Sequence, residues 1–222
     1  MRSPYSPSQL FLFVVVLIGL LVVVQVGAIT IAFDKLGLSS NSAFLLLFAS
    51  LFGSAINLPL FLIDSHGAHP ETVPKLPWGM LRPPRRTYEG KTLVAVNVGG
   101  AIIPLVFSIY LLVVSDVGVL EALAGIAVVT AVSRFASRPI SGFGIGMPIF
   151  IAPLTAALVA LLINAGESAP LAYISGTLGV LIGADILRLG DIRRLGTPFA
   201  SVGGAGTFDG IFITGILAVL LA

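Results

Sequence analysis

Residues 10–33 read LFLFVVVLIGLLVVVQVGAITIAF, an apolar run of 24 residues without one charge. As a helix rising about 1.5 Å per residue it spans roughly 36 Å, more than the ~30 Å hydrocarbon core of a bilayer. Arg2 precedes the run, as in a secretory leader, but a leader's apolar region is about 7 to 15 residues long. The stretch therefore reads as a retained transmembrane helix. Outward from it, apolar runs bounded by breakers predict further helices over 43–63, 93–114, 118–133, 147–164, 170–187 and 207–222. The fourth and the last of the seven are short. The expected fold is all-α: one domain, 1–222, a polytopic membrane bundle of about seven transmembrane helices.

Composition agrees. Hydrophobic residues make up 57% of the 222 and charged residues 10%, against about 25% charged in an ordinary globular chain. Strands alternating with period two are not seen, which excludes an outer-membrane barrel. The chain has no cysteine, so disulfides, thiolate metal sites and cysteine nucleophiles are excluded. The net charge of +2 and pI near 9.2 serve orientation, not nucleic-acid binding, which is not expected.

The predicted spans place Arg2, Lys75, Arg82, Arg85, Arg86, Lys91, Arg134, Arg138, Arg188, Arg193 and Arg194 on one side and Lys35 alone on the other. Eleven of the 12 basic residues on one face mark the cytoplasmic side. The N-terminus is then cytoplasmic and the C-terminus external, in a plasma membrane. Asp116, Glu121 and Glu167 fall outside. The connection 64–92 holds five prolines in PETVPKLPWGMLRPPRR; it reads as a cytoplasmic strap with Trp78 at the headgroups.

Three segments, GSAINLP (53–59), NVGGAIIP (97–104) and GMPIFIAP (146–153), combine small residues with Pro59, Pro104 or Pro153 inside a span. They read either as kinked, closely packed helices or as broken helices lining a transport site. Asn57 and Asn97 read as interhelical hydrogen-bond formers or as ligands. In DSHGAH, Asp64, His66 and His69 have metal-ligand chemistry, but the loop spacing is that of solvated residues, and neither a metal nor a cofactor is expected.

Asp185 in GVLIGADIL and Asp209 in GGAGTFDGIF are the two carboxylates read inside spans, where an ionised acid costs at least ~2.5 kcal/mol. Pro170 to Asp185 is about 22 Å of helix and Asp209 to Ala222 about 20 Å, so the acids stand at nearly one depth on neighbouring antiparallel helices. Facing carboxylates share a proton, one serving as base toward water and the other as donor to a carbonyl. Gly203, Gly204 and Gly206 leave main-chain groups open to a ligand or peptide. The bland alternatives are Asp185 paired with Arg188 three residues on and Asp209 capping its own helix.

In this pair the last 55 residues or so resemble the presenilin and signal-peptide-peptidase class of intramembrane aspartyl proteases. That class sets one catalytic aspartate near the cytoplasmic end of a helix and the other in a Gly-x-Gly-Asp motif opening the next. Here Thr207 and Phe208 separate Gly204-Ala205-Gly206 from Asp209, Ala184 stands where a tyrosine is common, and Ala152-Pro153-Leu154 precedes the pair. Over the whole chain, the GGAGTFDGIF ending resembles an uncharacterised prokaryotic family of multi-pass membrane proteins with a domain of unknown function. That family implies no mechanism; the resemblance to the presenilin class implies a hydrolase acting on membrane-embedded peptide through Asp185 and Asp209. The other readings are a proton- or cation-coupled transporter using the same acids, with Gly204, Gly206, Asn57, Asn97 and Pro153 as binding residues, and a non-catalytic membrane scaffold. Both histidines lie in a loop and HExxH is absent, so serine and zinc proteolysis have no residues to use.

Overall fold

The computed structural model describes residues 26–65, 90–140, 144–204 and 210–222. Most of the first predicted helix, the proline-rich strap with Trp78, His66 and His69, and residues Gly206 and Asp209 lie outside them. The described part of the first helix, α1 (Val26–Lys35), stops in a Schellman turn. Leu38 N–H donates to Phe33 O and Gly37 N–H to Asp34 O, with Gly37 at φ +70°, where a side chain is disfavoured. Ser39 then caps α2 (Ser40–Gly53) through Ser42 N–H, and the two helices meet at a bend of 112°.

Two expected spans are corrected in part. Residues 43–63 begin as α2 but continue as a strand, β1 (Asn57–Asp64); residues 93–114 begin in a strand, β2 (Lys91–Asn97), and become helix later. Pro59 has no N–H for a helical ladder and sits instead at a register shift in an edge strand. Thr92, Val94 and Val96 give β2 β-branched residues at every second position, which suits a strand. β1 pairs antiparallel with β2 from Asn57↔Asn97 to Asp64↔Lys91. β2 pairs parallel with β5 (Phe199–Val202), completing the order β1-β2-β5. A small hairpin, β3 (Arg138–Ile140) with β4 (Gly144–Gly146), sits apart.

The remaining helices follow the predicted runs closely. A π-helical turn, Val98–Ile102, leads into α3 (Ile103–Val114); then come α4 (Val119–Ala136), α5 (Ile151–Ile163), α6 (Ser168–Val180) and α7 (Gly210–Leu221). Pro153 lies in the first turn of α5, where a missing N–H costs nothing, whereas Pro104 stands inside the continuous helix Val98–Val114, just after its π-helical turn. α6 runs on through a π-helical turn, Leu181–Asp185, and a 3-10 stretch, Ile186–Arg194.

α6 is the axis of the bundle, packed against α3, α4, α5 and α7. Its glycines allow this. A Cβ on Gly179 would lie 2.5 Å from Val129 Cβ, and one on Gly183 would lie 2.4 Å from the Thr130 carbonyl. The interior is built largely from small residues, including Ala122, Gly125, Ala152, Ala156, Ala160 and Ala172, while Leu120, Val113, Phe135 and Leu162 are more than three-quarters exposed. Small residues within and large apolar ones without is the packing of helices in lipid. By length and composition, Val119–Ala136 and Ser168–Arg194 can cross a membrane, as can α1 with α2 if that bent pair is one span.

Candidate functional site

A polar seam forms where the sheet gives way to helices. Asn97, fully buried at the end of β2, donates through Nδ2 to Ser54 O (2.7 Å) and to Asn57 Oδ1 (3.0 Å). Its Oδ1 accepts Gly100 N–H at 2.7 Å and so caps the π-helical turn. Ser201 on β5 donates to Asn57 Oδ1 at 2.7 Å, tying the three strands together at their inner ends. Ser50 closes the junction from α2 by donating to Gly99 O at 2.6 Å.

Asp185 ends the π-helical turn of α6, and its Oδ2 accepts the Gly203 N–H at 2.8 Å. Gly203 has φ +80°, and a Cβ there would lie 2.6 Å from Ala101 Cβ and 2.7 Å from Ala101 N. The chain leaving β5 is thus wedged between Asp185 and the turn that opens α3. Only glycine fits both the backbone angle and the space. Gly204 follows with φ +85°. A π-helical turn carries an extra residue relative to an α-helix and re-aims the side chains after it; the site has one on each side, at 98–102 and 181–185.

Antiparallel packing sets the depth of α7 against α6. Ser168 Oγ donates to Ala222 O at 3.2 Å, and a Cβ on Gly215 would meet the Tyr173 ring and Thr177 Oγ1. Extrapolated along this register, Gly210 stands level with Val180, about 7 Å of helix short of Asp185. Of the residues flanking 205–209, Gly203 is held to the end of α6 by its hydrogen bond, and α7, which Gly210 opens, packs along α6.

Arg188 does not pair with Asp185. Its guanidinium donates to Arg134 O at 2.6 Å, to Ser137 O and to Ser137 Oγ at 3.1 Å, and it bridges Asp191 at 2.9 Å. It closes the C-terminus of α4, where a cation also meets the negative helix end. Of the residues expected to form a site, the fold brings Asn57 and Asn97 together and sets Asp185 beside Gly203, one residue from Gly204. Pro153 is buried in α5, a separate element. The sequence reading missed the parts played by Ser54, Ser201 and Arg188. Of these only Arg188, placed just after an apolar helix, carried a signal.

An apolar shell around a small-residue interior, with a buried polar seam at one end, defines a membrane-type helix bundle. The chain belongs to the family described as "Protein of unknown function (DUF1614)", which matches residues 51–221. No curated protein and no solved structure matches it.

Proposed function

We propose that the chain is a diaspartyl hydrolase of membrane-embedded peptide, crossing a plasma membrane about seven times with its N-terminus in the cytoplasm. The observation that carries this reading is the hydrogen bond from Gly203 to Asp185, which ties the glycine segment leading to Asp209 onto the helix bearing the first acid. The reaction asks one carboxylate to take a proton from water and the other, protonated, to donate to the scissile carbonyl. Orientation is supported by charge. Lys91, Arg134, Arg138, Arg188, Arg193 and Arg194 gather at the end of α4 and α6 nearest the sheet, while Asp116 and Glu167 share the opposite end with Lys35. The test is cleavage of a transmembrane peptide by protein in lipid. Asp185→Asn and Asp209→Asn each abolish turnover while retaining the melting temperature; turnover surviving in either variant refutes the reading.

A second reading, a proton- or cation-coupled transporter, is favoured by the Asn57–Asn97–Ser201 seam at the point where strands break into helices, as at transporter sites of discontinuous helices. It calls for ion flux into liposomes that the same two variants stop, with no peptide cleaved.

A further inference from the structure

The end of the bundle beside the sheet carries more positive charge than the fold uses. Among the described residues it has six basic side chains and three acids, Asp64, Asp185 and Asp191, and the Asp185 carboxylate accepts the Gly203 N–H. Asp191 is bound to Arg188, and Asp64 stands opposite Lys91 in the strand register. Arg134, Arg138, Arg193 and Arg194 have no acidic partner among the described residues.

These arginines belong to one surface. Arg188 anchors the 3-10 stretch on the end of α4 between Arg134 and Ser137, β3 with Arg138 packs against the same stretch, and Ser65 Oγ holds the Arg193 carbonyl at 3.1 Å. The exposed neighbours are large and apolar: Phe135 is 84% exposed, and Ile186 and Leu187 are about half exposed. A soluble polyanion leaves such side chains in water, whereas a lipid offers an anion above and acyl chain below.

We propose that this end is a docking surface for anionic phospholipid headgroups, held by Arg138, Arg193 and Arg194 while Phe135, Ile186 and Leu187 enter the acyl boundary. The guanidinium fork suits a phosphodiester better than an ammonium does. Each arginine near an anionic leaflet is worth about fivefold in affinity, so removing three costs on the order of a hundredfold. The proposal rests on the membrane reading with this end inward, not on the carboxylate chemistry.

The test uses the full chain in phosphatidylcholine nanodiscs and in neutral detergent, titrated with short-chain phosphatidylglycerol, phosphatidylcholine, inorganic phosphate or a single-stranded oligonucleotide. Phosphatidylglycerol is expected to bind at least tenfold tighter than phosphatidylcholine, with affinity falling as salt rises. Arg138→Gln/Arg193→Gln/Arg194→Gln loses about a hundredfold, while the corresponding triple lysine variant keeps most of the binding and shows that the surface still folds. Equal affinity for the two lipids overturns the proposal, as does a triple glutamine variant that binds phosphatidylglycerol like the wild type. Displacement of the lipid by millimolar inorganic phosphate, or tighter binding of the oligonucleotide, overturns it in favour of those ligands. Failure to enter nanodiscs at all sinks the membrane reading instead.

Discussion

The carboxylate of Asp185 and the backbone N–H of Gly203, eighteen residues apart in the chain, are joined by a 2.8 Å hydrogen bond. Helix six thereby holds Gly203, the residue that leaves β5, and Gly203 in turn packs closely on Ala101 in the turn that follows β2. Asp185 consequently has a structural task whatever chemistry it performs.

Gly203→Ala adds a Cβ where the backbone angle disfavours one and where Ala101 lies within 2.7 Å. A loss of about 1–3 kcal/mol is expected from strain and overlap together. A melting temperature in detergent several degrees lower checks this. Gly37→Ala, with a similar angle (φ +70°) but open space around it, should cost less.

Asn97 makes three buried or part-buried hydrogen bonds, and Asn57 accepts two through one oxygen. Asn97→Ala leaves Ser54 O and Gly100 N–H without this partner in a buried junction, an expected loss of about 2–4 kcal/mol. Asn97→Asp should be at least as harmful, because an acceptor replaces the donor facing Ser54 O. Thermal unfolding of the two variants beside Asn57→Ala gives the ranking.

Gly183→Ala should separate α4 from α6, because its Cβ would sit 2.4 Å from the Thr130 carbonyl. Gly190→Ala meets nothing within 4 Å and is expected to be neutral or mildly stabilising. Equal melting temperatures for the two would show that the close approach of these helices does not hold the bundle.

Arg188→Gln removes the guanidinium that closes the end of α4, with an expected loss of about 1–3 kcal/mol for charge-assisted bonds. Asp191→Asn breaks only a partly exposed ion pair and should cost under about 1 kcal/mol. Thermal melts of both variants test whether the carbonyl contacts or the ion pair carries the effect.

The helices were legible because lipid demands long apolar runs: 118–133, 147–164 and 170–187 all recur as helix. The strands were not. Residues 57–63 are as apolar as a span, and hydropathy does not separate an apolar strand from a helix. Pro59 and the alternating Thr92, Val94 and Val96 were the local signals against a continuous helix. In the site, Asp185 and the two asparagines stood out as polar residues in apolar runs. Ser54 and Ser201 did not, since serine is common in membrane helices and loops alike. Arg188 read as a counter-ion by i, i+3 spacing, yet the α4 carbonyls that it caps are more than fifty residues away in sequence.

The approach of residues 185 and 209 can be measured directly because the chain has no native cysteine. Asp185→Cys/Asp209→Cys is oxidised, or bridged through two disulfides with a short bis-methanethiosulfonate, and digested with trypsin, which cuts between the two positions at Arg188, Arg193 and Arg194. Ser168→Cys/Ala222→Cys, joined across the far end of the same helices, serves as the positive control. If the two acids share one catalytic centre, both pairs hold their fragments together until reductant is added. Fragments that separate for 185–209 while the control stays linked would leave the acids apart and end the hydrolase reading.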